Sequence, residues 1–217
     1  KQILALLQKD FKLEWKNKSS AFGLILFAFS ATYTAYHIFG QNIDGTVWIS
    51  IFWLISIFGS IHATAHSFTK ESSEEFLFFY CLVKPQIILI EKLIYNNIWI
   101  VTLAIVNIAL FSLFFGNPVE SLPVFIAAGV IGSMSITTVL TVVSAIAAKL
   151  KNNFTLMTIL SLPLLIPAIL IGLNISLDSL QVISFSEVLQ PLLSGSLFIL
   201  LCSVISYVLI PTFGRIK

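Results

Sequence analysis

Six stretches of this chain stay apolar for as long as a helix needs to cross the ~30 Å hydrocarbon core of a bilayer, about 20 residues. They cover residues 21–39, 46–65, 93–115, 122–148, 154–173 and 191–213 of the 217. The runs are continuous, which favours helices over the alternating ~10-residue strands of a membrane barrel. Lipid offers no partner to an open backbone donor or acceptor, so six such runs restrict the chain to a bundle of spanning helices. Composition agrees: only 10% of residues are charged, against about 25% in a soluble domain. The expected fold is all-α, a six-helix membrane domain over residues 1–217.

Charge orients the bundle. All twelve Lys and Arg residues lie before run one, between runs two and three, between four and five, or after six. The remaining connections hold Asp44, Glu120, Asp178 and Glu187 and no basic residue. The positive-inside rule then places both termini in the cytoplasm. In the opening KQILALLQKDFKLEWKNKSS, residues 1–20, Ile3, Leu7, Phe11 and Trp15 recur every fourth position, with Lys9, Lys12 and Lys16 on another face. This predicts an amphipathic helix lying in the headgroup plane, or an elbow packed on neighbouring spans or a partner. The opening is too long and mixed for a simple signal-peptide n-region and no A-x-A site follows, so no cleaved signal is expected.

The runs as drawn contain no Asp, Glu, Lys or Arg. Intramembrane ionisable groups usually mark proton or ion routes, so their absence argues against a proton-coupled carrier. Asn107 is the strongly polar side chain expected inside the third run, as an interhelical hydrogen bond or a substrate ligand. Pro163 and Pro167 each remove a backbone donor from the fifth run and kink it, either statically or as a flexing, cavity-lining element. Ala128 with Gly132, and Gly129 with Ser133, have the small-xxx-small spacing of close helix contact, within the bundle or across a dimer. There is no GxxxxGK[ST], so ATP energy enters from another polypeptide. His62 and His66 are weak metal candidates: they share a helical face, but HATAH lacks the Glu of HExxH and a third ligand. His37 stands alone near the outer end of run one. Cys81 and Cys202 are far apart and fit packing. No nucleophile–base constellation supports an enzyme, no directly bound cofactor is expected, and a net charge of +2 gives no sign of nucleic-acid binding.

One segment between runs two and three is neither span nor ordinary loop: HSFTKESSEEFLFFYCLVKP, residues 66–85. Ser72 can cap a helix and Glu75 complete a capping box, with Ser73 and Glu74 in the first turn. Lys84 precedes Pro85, which favours a break there. The helix of residues 72–84 is too short to span. Phe76, Phe79, Tyr80 and Val83 form one apolar stripe, and Leu77, Phe78, Cys81 and Leu82 cover much of the rest. Such a helix needs burial on several sides. It is either an interfacial connector or a helix that enters a partner's groove. A cytoplasmic apolar helix, six spans and no ATPase site suit the permease half of an ABC transporter, whose coupling helix inserts into the ATPase subunit.

Three regions carry a family resemblance: the amphipathic opening, SSEEFLFFYCLVKPQIILIEKLI with Glu75, Pro85 and Lys92 at matching positions, and KNNFTLMTILSLPLLIPAILIG. In these the chain resembles haem exporter protein B, the CcmB-type permease subunit of the ABC system for cytochrome c maturation. The resemblance covers nearly the whole chain. It departs from the family at residues 78–83, where Leu-Pro repeats are common, and at Asn152-Asn153, which replace a Gly-Gly pair. It implies a homodimeric core in a bacterial cytoplasmic membrane and an ABC ATPase subunit that binds ATP. It also implies a separate haem-handling membrane protein with a small accessory subunit, and haem as the possible cargo. That handling protein has a Trp-rich signature; here Trp15, Trp48, Trp53 and Trp99 are isolated. Alternatives are an ABC-2-like exporter of lipid, glycan or drug, a non-transporting assembly scaffold, and an intramembrane metalloenzyme using His62 and His66.

Overall fold

The structure is a computed structural model that describes residues 2–17, 19–40, 43–65, 83–147, 153–182 and 185–213. Among them are seven helices and no strand: α1 (Gln2–Asn17), α2 (Ser19–Phe39), α3 (Gly45–Ala65), α4 (Pro85–Phe115), α5 (Leu122–Ala147), α6 (Asn153–Asp178) and α7 (Phe185–Phe213). The last six are each long and apolar enough to cross a membrane. The segment 72–84 proposed as a coupling helix falls outside the described residues up to position 82, as does His66.

α5 is the central staff of the bundle. It packs against α3, α4, α6 and α7, and 72% of its apolar window is buried. Its small residues explain this position. A Cβ added at Gly132 would stand 2.9 Å from the Cα of Gly172 on α6 and would strike the Trp53 ring. The close approach anticipated at Gly132 is therefore made inside the bundle, between α5 and α6. The slot beside it takes the Trp53 indole, whose Nε1 donates to Ser176 Oγ at 3.0 Å. Ser176 Oγ in turn donates to the Gly172 carbonyl at 2.8 Å. A buried indole keeps a partner in this way, which an apolar interior otherwise denies it.

Around this slot lies an aromatic core. Trp48, Phe52, Phe111 and Phe125 are buried, and the Phe125 ring meets both Trp48 and Phe52 at centroid distances of 5.1 Å. Two of the four tryptophans are thus core residues, whereas Trp15 is 82% exposed. Lipid tails are as apolar as these side chains, so shape complementarity and dispersion hold the helices together here more than exclusion from water. Pro163 is exposed and Pro167 half-buried on α6, while Leu165 and Ala168 between and beside them are buried. The proline edge therefore faces away from the core, and α6 stays helical through both.

Candidate functional site

The third span begins earlier than its apolar run. α4 starts at Pro85, not at residue 93, with Lys84 extended at the N-cap (φ −60°, ψ 135°). Proline at the first helical position gives up a donor that has no partner there anyway, and its fixed φ suits the helix. The early start corrects the expectation of charge-free spans: Glu91 and Lys92 lie within α4 and within its membrane-crossing stretch, Gln86–Phe115. Both are buried, at 2% and 5% exposure.

The physical reason is α1. This helix packs along α4 and also touches α2. Asp10 on α1 accepts from Lys92 Nζ through Oδ2 at 2.6 Å, and its Oδ1 meets Lys9 Nζ at 3.3 Å. A lysine unaffordable alone in an apolar bundle is tolerated when a carboxylate neutralises it at hydrogen-bond distance. Burial alone would raise the Asp10 carboxyl; the Lys92 charge and hydrogen bond, with help from Lys9, outweigh it and hold Asp10 below its ordinary value. Glu91 faces Asp10 and Lys92, and its Oε1 is buried with no hydrogen bond among the described residues. One turn further, Tyr95 donates to Glu14 Oε2 at 3.2 Å, and Phe11 packs edge-on against Tyr95 at 5.3 Å and near Trp99 at 6.4 Å. The face of α1 that docks is centred on Asp10 and Glu14 with Phe11 at its flank; Trp15, assigned to the apolar stripe, points away.

A polar stripe continues along α4. Asn96 Nδ2 donates to Thr141 Oγ1 at 3.0 Å, and Asn97 Nδ2 donates to the Leu93 carbonyl at 2.8 Å and to Thr138 Oγ1 at 3.4 Å. Asn107, fully buried, donates from Nδ2 to Ser56 Oγ on α3 at 3.3 Å, while its Oδ1 has no partner among the described residues. Asn107 is therefore one of three asparagines within the membrane-crossing stretch of α4, not a lone one. Lys92, Asn96 and Asn107 fall within about 60° of one another at 100° per residue, a one-sided pattern that was readable once the helix was known to start at Pro85.

The opposite face of α4 is open. An apolar groove of about 720 Å³ runs between α4, α5 and α7, lined among others by Ile94, Ile98, Val101, Met134, Val204 and Tyr207, with Asn97 and Ser203 as polar points. One face of α4 is pinned through its charges to α1, and the other borders this groove.

Of the residues singled out in the sequence, Val83, Lys84 and Pro85 lead directly into α4. Ser72, Ser73, Glu74, Glu75, Phe76, Phe79 and Tyr80 lie outside the described residues, so their part in the site is carried by the sequence. His62 is exposed near the end of α3, and His66 lies outside the described residues. No group of three or more metal-ligating side chains occurs among the described residues.

No curated protein and no solved structure matches the chain. The family model described as CcmB protein matches residues 1–214. With six membrane-crossing helices and a match over nearly its whole length, the chain is a multi-pass membrane protein that belongs to the CcmB family, the haem exporter protein B family.

Proposed function

We propose that this protein is the transmembrane subunit of an ABC-type complex that serves haem delivery for c-type cytochrome maturation. Membership of the CcmB family over residues 1–214 is the observation that carries the reading. The ATPase is a separate subunit. The segment of residues 72–84, helical before the bend at Val83, docks into it, with Phe76, Phe79, Tyr80 and Val83 as the apolar contact and Ser72 and Glu75 as its cap. Two copies of this chain and a haem-handling membrane protein with its small accessory subunit complete the assembly, in a bacterial cytoplasmic membrane with both termini inside.

The junction of α1 and α4 supports a route for the stroke. Lys84, extended at the N-cap, and Pro85 lead from this segment into α4. Lys92, about two turns in, is fastened to Asp10. A displacement of the segment therefore moves α4 and α1 together and reshapes the groove on the far face of α4. Haem passes along the bundle, or the stroke releases a haem-loaded acceptor; both use the same coupling.

The test replaces Glu75 with Lys and Phe79 with Ala in the intact complex. ATPase co-purification and c-type cytochrome maturation should both fall while the chain remains folded in the membrane. Retention of both after the double change would refute the coupling role of residues 72–84.

A further inference from the structure

The far end of α2 holds an arrangement that the coupling scheme does not use. His37, in the last turn of α2, is exposed and makes no hydrogen bond or ion pair among the described residues. Its contacts are aromatic: the Tyr33 ring lies 4.6 Å away at 80° and the Tyr36 ring 6.0 Å away at 69°. Phe29 stacks parallel to Tyr33, 6.1 Å apart and 4° from coplanar. Phe114, from the last turn of α4, closes the patch at 5.9 Å from Phe29 and 6.0 Å from Tyr33.

An imidazole at the end of a membrane span normally finds a polar neighbour; this exposed one has two tyrosine rings against it, and its ring nitrogens have no partner among the described residues. Neutral imidazole is a common metal ligand and the axial ligand of many haem proteins. A macrocycle ligated by imidazole must stand perpendicular to the imidazole plane. Tyr33 and Phe29 have nearly that relation to His37, so a flat ring on the metal side of His37 can lie along them. Both rings are about half exposed, at 45% each, which leaves an apolar platform open to such a ring.

We infer that His37, with Phe29, Tyr33, Tyr36 and Phe114, forms a surface site for a flat, apolar, metal-centred macrocycle of the haem type, the imidazole ligating the metal and the aromatic rings supporting the plane. The inference rests on the haem reading above and deepens it: it names a residue that holds the cargo, at the end of the bundle remote from Asp10 and Lys92.

The experiment titrates ferric haem into the purified full-length chain in nanodiscs and follows the Soret band and, after reduction, the iron–imidazole vibration. The wild type should bind about one haem with an imidazole-ligated spectrum. His37→Ala should abolish that signature and weaken binding at least about tenfold, since losing even an outer-shell partner of a metal ligand costs about 10–100-fold. Tyr33→Ala should weaken both haem and metal-free protoporphyrin while leaving the imidazole signature in whatever haem still binds. His62→Ala should leave the spectrum unchanged. An unaltered spectrum and affinity in His37→Ala, or loss of the signature in His62→Ala instead, would overturn the site. The two readings fail separately. A chain that ligates haem through His37 but is dispensable for cytochrome maturation keeps the site and refutes the proposed function. A maturation-competent chain whose haem spectrum ignores His37 does the reverse.

Discussion

Replacing Asp10 by Ala removes the carboxylate that holds Lys92 in the bundle. The side chains of Asp10 and Lys92 are only 9% and 7% exposed and meet at 2.6 Å. Breaking a buried pair by removing one partner typically costs about 3–5 kcal/mol, because the other charge is left uncompensated. One feature places this site at the lower end. α1 can lift from α4, which lets the lysine reach the interface along its flexible stem. The expected loss is therefore about 3 kcal/mol, and it falls on the docking of α1 rather than on the spans. At 1.4 kcal/mol per decade this is on the order of a hundredfold. Hydrogen exchange of the α1 amides in nanodiscs reads it directly: α1 protection should fall by about that factor while α5 is unchanged. Lys92→Met should cost less, since Asp10 keeps Lys9 at 3.3 Å in a more exposed pair. The double variant Asp10→Ala/Lys92→Met should recover much of the loss, because no orphaned charge remains. If Asp10→Ala changes α1 protection less than twofold, or the double variant is no better than Asp10→Ala, the pair does not fasten α1 and the proposed transmission through it is wrong.

The same pair sets a pH dependence. Asp10 is held below the ordinary carboxyl value of 3.8, so its contribution to α1 docking is complete well above that value and is lost as pH falls through the folded-state value; α1 exchange should rise in that acid window, and Asp10→Asn should remove the transition. Gly132→Leu forces a side chain into the space held by Gly172 and Trp53, and should destabilise the purified chain by at least the ~1–3 kcal/mol of ordinary overpacking, read as a lower thermal midpoint. Asn107→Leu removes an interhelical bond averaging about 0.6 kcal/mol in membranes but also removes the unpartnered Oδ1; the thermal midpoint should barely move, and c-type cytochrome maturation should persist unless Asn107 contacts cargo.

How much of this was legible in advance depended on whether the cause was local. The six spans could be read from the chain because transfer of an apolar run into lipid is a sum over neighbouring residues. Pro85 likewise marked a break in the chain through its own ring, and Gly132 announced a close contact through its missing side chain. The role of Asp10 went unread and the early part of α4 was misread for the opposite reason. Lys92 looked like a loop residue because a lone lysine ends an apolar run, and its neutralising partner lies 82 positions away. Phe11 and Asp10 are adjacent, and only packing decided that the charged one would be the more deeply buried.

By itself, then, the sequence determined that the chain spans a membrane six times as helices, where most of those spans lie, and which family it belongs to. Tertiary structure decided which face of each helix is used: Asp10 rather than Trp15 on α1, Trp53 between Gly132 and Gly172, and Phe114 against Phe29, Tyr33 and Tyr36. Lipid solubility is nearly indifferent to the rotation of an apolar helix about its axis. Only the shapes and charges of neighbouring helices, remote in sequence, fix that angle.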